Sequence, residues 1–330
     1  MSVLVTGGGG YIGSHMVWAL LDANEDVVVI DNFATGFRWS LPAECRVYEG
    51  DVGDESLLTE IFSVNEIDAI IHFAGSSIVP TSVSDPLYYY NNNTSKSRTL
   101  IECAVRSSIP NFVFSSTAAV YGTPKEMGTV DETRETRPES PYGSSKLMTE
   151  IMLRDASAAH PFQYTALRYF NVAGADPEGR TGQSTKSATH LIKSACEAAL
   201  GLRPHLDVYG TDYPTRDGTC IRDFIHVWDL VEAHLLALKK MRETRLSSTF
   251  NCGYGQGYSV LEVIEAVEIA SGKKIIKKNV ARRSGDPVMV VANPALAMRE
   301  LDWHPRHNDL SAIVGSALAW ERHLLTKNSA

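Results

Sequence analysis

The chain has 330 residues, 44% of them hydrophobic and 21% charged, and 39 acidic against 31 basic side chains leave a net charge of −8. This is an ordinary globular composition, long enough for one large core or two modest ones. It offers no basic stripe for nucleic acid or an anionic membrane, no apolar run near the ~20 residues that cross a bilayer, and no signal peptide is expected ahead of the first apolar segment.

A first strand is expected over residues 3–6, then the turn Gly7-Gly8-Gly9-Gly10-Tyr11-Ile12-Gly13 and a helix over 11–23. Strand, Gly-x-x-Gly-x-x-Gly and helix in that order suit a dinucleotide pyrophosphate. Gly7, Gly10 and Gly13 let the backbone turn and approach the phosphates, and the helix start presents free N–H groups. A second strand over 27–31 ends in Asp31, eighteen residues beyond Gly13. An acid there accepts from both ribose hydroxyls of an adenosine and repels a 2′-phosphate, which selects NAD over NADP. Further strands over 46–50, 69–74, 112–116 and 164–169 alternate with helices over 55–65, 86–107 and 142–159. This alternation implies an α/β, Rossmann-like, doubly wound parallel sheet with ligands beyond the carboxyl ends of its strands.

After residue 171 the pattern loosens. Gly-, Pro-, Thr- and Asp-rich stretches (174–186, 210–219, 282–287) separate helices over 189–200, 227–240, 260–270 and 310–324. Residues 1–171 are therefore expected to form an NAD-binding domain, with a return near 227–252 through a strand at 249–251. Residues 172–330 are expected to form mainly a smaller substrate lobe. His304 and His307 are spaced like metal ligands, but Pro305 between them reads as a polar turn, and no metal is expected. Five scattered cysteines (Cys45, Cys103, Cys196, Cys220, Cys252), odd in number and without a Cys-x-x-Cys pair, read as reduced thiols of a cytoplasmic protein.

The chemistry sits in Tyr142-Gly143-Ser144-Ser145-Lys146. Four apart on a helix, Tyr142 and Lys146 share a face. An ammonium beside a phenol stabilises the phenolate, which makes Tyr142 a base and leaves Lys146 able to hold a ribose. Ser115-Ser116-Thr117 ends a strand upstream, and Thr117 is placed to bond the oxygen that Tyr142 deprotonates, although a strand-end hydroxyl also serves as a simple cap. Together these residues point to hydride transfer at a carbinol.

Glycine turn, Ser/Thr and Tyr-x-x-x-Lys in this order resemble the extended short-chain dehydrogenase/reductases. Within them the chain is similar to the UDP-glucose 4-epimerases from end to end. The similarity rests on residues 5–14 (VTGGGGYIGS), Asp31-Asn32, 72–75 (HFAG), 89–93 (YYNNN), 114–122 (FSSTAAVYG), 141–146, 167–171 (LRYFN), 208–218 (VYGTDYPTRDG), 221–230 (IRDFIHVWDL) and 281–287 (ARRSGDP). It implies that Tyr11, Ile12, Asp31, Asn32, Phe33, Ala34, Thr35, Gly36, Asp51, Val52, Phe73, Ala74, Gly75, Ser77, Asn92, Lys146 and Phe170 line the NAD site. Thr117 and Tyr142 would act on the sugar. Asn171, His190, Leu191, Tyr209, Arg222, Arg283 and Asp286 would hold the UDP; two arginines suit a diphosphate, and Tyr209 suits the uracil face. The expected reaction is reversible C4 epimerisation of a UDP-hexose through a 4-keto sugar with tightly bound NAD. The expected assembly is a homodimer packed through the helices at 86–107 and 142–159.

Three departures from the family pattern stand out. Ser77 replaces a frequent Lys, His190 stands where some bacterial relatives carry Asn, and Val290 occupies the position of the pocket gate. A small gate goes with tolerance of N-acetylated sugars, which implies some activity on UDP-N-acetylglucosamine. Ala118-Ala119 after Thr117 argue against a 4,6-dehydratase, which needs an Asp-Glu pair there. Asp31 argues against an NADPH reductase, and the intact Tyr/Lys pair against a non-catalytic nucleotide sensor. A related UDP-pentose or UDP-uronate 4-epimerase is the alternative, because sugar choice hangs on a few pocket residues.

Overall fold

A computed structural model describes residues 1–124, 128–185, 189–283 and 286–327. Its first half contains β1 (Ser2–Thr6), α1 (Tyr11–Asp22), β2 (Asp26–Asp31), β3 (Arg46–Glu49), α2 (Glu55–Val64), β4 (Ile67–His72), α3 (Val79–Ser84), α4 (Pro86–Tyr89), α5 (Lys96–Arg106) and β5 (Asn111–Thr117). There follow β6 (Thr129–Val130), α6 (Pro141–Ala159), β7 (Gln163–Tyr169), β8 (Asn171–Ala173), α7 (Leu191–Ala199), β9 (Leu206–Tyr209), β10 (Ile221–His226) and α8 (Val227–Thr244). The chain ends in β11 (Ser248–Cys252), β12 (Gly257–Ser259), α9 (Val260–Ser271), β13 (Lys277–Val280), β14 (Met289–Ala292), α10 (Ala295–Leu301) and α11 (Leu310–Lys327).

Apolar side chains on both faces of β1, β2, β4 and β5 make these strands suitable only for a sheet covered on both sides. Seven strands pair in parallel in the order β11-β7-β5-β4-β1-β2-β3. Alternate residues feed opposite layers. Val3, Val5, Val27 and Val29 pack with Met16, Leu20, Leu230 and Leu238 of α1 and α8. Leu4, Val28, Ile70 and Phe112 pack with Leu58, Leu100 and Leu153 of α2, α5 and α6. The strand order reverses between β1 and β4, so a crevice opens there between the glycine turn and the loop after His72. Gly7 takes φ +69, and a Cβ on it would lie 2.7 Å from the Ala74 nitrogen, so only glycine lets the two loops meet.

The second half contributes β11, which joins the main sheet beside β7, and two smaller sheets. One runs β12-β10-β14-β6 with β8 paired to β10; the other pairs β13 with β9. Helices α7, α9 and α11 cover a third core around Val208, Val263 and Val314. Most of these strands escape the sequence reading because they are short and carry charges, as in Ile221-Arg222-Asp223 of β10.

The helix expected over 86–107 is interrupted. A π turn over Tyr90–Ser95 separates α4 from α5 and turns Asn93 inward. Such turns usually mark functional positions.

Candidate active site

The glycine turn delivers a free helix start. Gly10 caps α1 without any side-chain hydrogen bond, and a Cβ on Gly13 would sit 2.1 Å from the Gly7 carbonyl oxygen. Backbone packing of this closeness leaves a cradle that fits a pyrophosphate. Asp31 is buried and accepts from the Gly9 nitrogen at 2.8 Å and the Phe33 nitrogen at 2.7 Å, while burial pushes its carboxyl pKa up. Gly36 is held against the same turn, where a Cβ would meet the Gly9 carbonyl carbon at 2.7 Å. Asn32 accepts from the Ala34 nitrogen; Ala34 and Thr35 are exposed at the rim. Beyond β3, Val52 is buried and Asp51 accepts from the Gly53 nitrogen and from Lys96. These residues fit an adenosine and its diphosphate.

At the other side of the crevice, Asn93 fixes the loop that follows β4. Its amide oxygen accepts from the Ser76 nitrogen at 2.7 Å, and its amide nitrogen donates to the Ser76 carbonyl and to Ser145 Oγ. Ser145 Oγ in turn donates to the Tyr142 carbonyl at 2.7 Å. The Asn93 carbonyl accepts from Ser97 Oγ, which meets His72 Nε2, and His72 Nδ1 meets Thr6 Oγ1 at 2.6 Å. One buried network therefore runs from the end of β1 to the start of α6. Asn92 donates to Ser76 Oγ, whereas Ser77 is exposed. Phe73 packs on His234 with ring centroids 5.0 Å apart.

Thr117, Tyr142 and Lys146 come together where β5 ends against α6. Ser140 caps α6 by accepting from the Gly143 nitrogen, and Pro141 opens its first turn. Tyr142 and Lys146 are both buried. Lys146 Nζ donates to the Ser115 carbonyl at 3.0 Å and lies 5.0 Å from the Phe114 ring centroid. Burial brings its pKa down from 10.5 to about 8. Burial also raises the Tyr142 phenol, against a lowering by its hydrogen bond with Thr117. The lowering expected from the Lys146 ammonium does not appear; burial sets the direction, and only the Thr117 hydrogen bond works against it.

Behind this triad lies a cluster that sequence reasoning missed. Arg168 Nη2 donates to Glu150 Oε2 at 2.6 Å and its Nε contacts both Glu150 oxygens; Ser116 Oγ also donates to Glu150. Arg168 Nη1 donates to the Tyr121 hydroxyl, which donates to Asn251. Glu150 continues the 142–146 face of α6 by one turn, the one available signal, but nothing in the sequence pairs it with Arg168.

Two further groups sit along β10. Asn171, His190 and Leu191 line an open cleft together with Tyr11, Phe224 and Trp320. The Tyr11 hydroxyl donates to the Gly174 carbonyl at 2.7 Å, so Tyr11 belongs to this cleft as well as to the turn. Two residues from Phe224 on the same face of β10, Arg222 pairs with Asp286, and Arg283 lies 3.8 Å over the Tyr209 ring. That contact places a cation where the uracil was expected to stack. Ser284 and Gly285 of the same block, and Lys186 of the 174–186 stretch, lie outside the described residues. Val290 is opposite Arg222 in register and packs with Ala118, Tyr121 and Phe170. Phe170 is therefore shared between the expected cofactor side and the wall that carries Val290. His304 contacts Asp302 and His307 contacts Asp229, and among the described residues no group of three ligand-type side chains could hold a metal. No described helix is long and apolar enough to cross a membrane.

A doubly wound sheet with a glycine cradle, a strand-end acid and a buried Tyr/Lys pair at its switch point defines a nicotinamide-dinucleotide enzyme of the short-chain dehydrogenase/reductase type. The chain belongs to the NAD dependent epimerase/dehydratase family, whose model matches residues 3–253. It is 53% identical over 322 residues to the UDP-glucose 4-epimerase of Azospirillum brasilense, covering 98% of this chain and 92% of that one. A UDP-glucose 4-epimerase crystal structure from Brucella ovis in complex with NAD superposes with a TM-score of 0.93 at 40% identity, covering 96% and 97% of the two chains. The UDP-Glc/GlcNAc 4-epimerase of Campylobacter jejuni superposes at 0.85 with 43% identity, over 98% and 99%.

Proposed function

We propose that this enzyme interconverts UDP-glucose and UDP-galactose by inverting C4 with tightly held NAD. The observation that carries the reading is the meeting of Thr117, Tyr142 and Lys146, all buried, beside the dinucleotide cradle. The two alanines after Thr117 leave no acid for dehydration. Bound NAD supplies a hydride acceptor, then a donor, and the ring charge that draws the Tyr142 phenol down. Gly7, Gly10, Ile12, Gly13 and Asp31 to Gly36 hold its diphosphate and adenosine ribose; Asp51 and Val52 meet the base. Phe73, Ala74, Gly75, Asn92 and Lys146 flank its reactive end.

Tyr142 takes the proton of the sugar 4-hydroxyl while Thr117 holds the same oxygen. The 4-keto sugar turns in its pocket, and Tyr142 returns the proton when the opposite face is reduced. Asn171, His190, Leu191, Tyr209, Arg222, Arg283 and Asp286 keep the UDP fixed during that turn, so binding energy rests on the part that does not react. Val290 leaves room for a 2-acetamido group, and the activity extends to UDP-N-acetylglucosamine. The likeness to the Campylobacter jejuni enzyme supports this.

The enzyme acts as a homodimer in the cytoplasm. Exposed Val79, Val83, Leu87 and Tyr88 on α3 and α4 flank exposed Met148 and Ile151 on α6, an apolar face suited to a second copy. Five free, buried cysteines suit a reducing compartment. Residues 1–171, with the return through α8 and β11, form the cofactor half, and the remainder mainly the sugar-nucleotide half. The test is to incubate purified protein with UDP-galactose and no added cofactor and to follow UDP-glucose by chromatography. Conversion is expected; no conversion with or without added NAD would overturn the reading.

A further inference from the structure

Lys96 belongs to none of the sequence motifs, yet it reaches Asp51, one of the residues assigned above to the cofactor base. It opens α5 directly after the π turn, and its stem crosses Gly53, where a Cβ would lie 2.8 Å from Lys96 Cγ. Its ammonium donates to Asp51 Oδ2 at 2.5 Å, Asn32 reaches the same oxygen at 3.5 Å, and Oδ1 accepts from the Gly53 nitrogen at 2.8 Å. The Lys96 and Asp51 side chains are 25% and 34% exposed, so the pair is partly open to solvent rather than sealed in the core. An ammonium has three donors and a carboxylate about four acceptor sites. Asp51 thus keeps an acceptor site free, and Lys96 keeps two donors free beside it.

We propose that Asp51 and Lys96 together read the 6-position of the cofactor's purine. The carboxylate accepts from a 6-amino group and the ammonium donates to a 6-oxo group, so the enzyme holds nicotinamide hypoxanthine dinucleotide nearly as well as NAD. The proposal rests on the reading that Asp51 meets the base. A carboxylate alone would face a 6-oxo oxygen with two acceptors and no donor, and unpaired polar groups of this kind discriminate strongly. Lys96 removes that discrimination.

The experiment incubates the purified holoenzyme with equal excesses of isotopically labelled NAD and nicotinamide hypoxanthine dinucleotide until the label shows that the resident cofactor has been replaced and the bound ratio no longer changes with time. It then removes free nucleotide and measures the bound ratio by chromatography. The wild type is expected to hold the two within about tenfold of each other, while Lys96→Met should shift the ratio toward NAD by about tenfold or more. Lys96→Arg, which keeps a donor, should stay near the wild type, and Asp51→Asn should shift the ratio toward the hypoxanthine form. A wild type that rejects the analogue by more than about a hundredfold overturns the proposal. So does an unchanged ratio in Lys96→Met with a shifted one in Asp51→Asn, which leaves Asp51 at the base. Unchanged ratios in both variants overturn the placement of the base itself.

Discussion

Arg168→Met tests the buried cluster behind α6, the helix that carries Tyr142 and Lys146. The Arg168 and Glu150 side chains are only 9% and 8% exposed, and the guanidinium supplies three contacts to the carboxylate and one to Tyr121. Removing it strands a buried carboxylate whose one other side-chain donor is Ser116. Breaking a buried pair from one side costs about 3–5 kcal/mol. At about 2 °C per kcal/mol for a chain of this size, the unfolding midpoint should fall by about 6–10 °C. Adding Glu150→Leu removes the stranded charge, so the double variant should regain most of the loss. The assay is thermal unfolding followed by circular dichroism at one fixed NAD concentration, because ligand binding itself shifts the midpoint. A single variant that loses less than about 2 °C, or a double variant no better than the single, would refute this account of the cluster.

Tyr142→Phe should lower kcat by about 10²–10⁴ while copurifying with NAD; a loss below about tenfold would show that the phenol is not the base. Val290→Tyr should abolish turnover of UDP-N-acetylglucosamine and spare UDP-galactose, and equal loss of both would remove the gate from the argument. Between about 8 and 10.5 the unfolded chain holds a proton on Lys146 that the folded chain has lost, so stability rises with pH across that window. Below it the buried ammonium costs about 3 kcal/mol. Lys146→Met should therefore lose activity yet resist urea better at pH 7, with the gain shrinking toward pH 10.5. An equal gain at both pH values would contradict the assignment.

Much of the cofactor half was legible because its rules are local. Continuous apolar strands, a glycine turn and an acid at a strand tip each specify their structure within a few residues, and β1, β2, β4 and β5 fall close to the expected places. Tyr142 and Lys146 follow from one helical turn. Lys96, Asn93 and the Glu150–Arg168 pair were hidden because their partners lie 17 to 52 residues away, across loops whose path no periodicity encodes. The π turn that aims Asn93 inward also breaks the 3.6-residue repeat by which a helix is recognised. In the smaller sheets, β6, β8 and β12 are two or three residues long, too short to alternate visibly, and they form only because β10 and β14 offer edges to pair with.

The central claim is that the sugar lends a hydride from C4 and receives it back within one binding event. UDP-galactose carrying deuterium at C4 tests it directly, with product analysed by mass spectrometry and proton NMR in ordinary water containing unlabelled NADH. The account predicts UDP-glucose that keeps its full deuterium content at C4 with inverted configuration. Deuterium lost to water or exchanged with the free nicotinamide pool would contradict it.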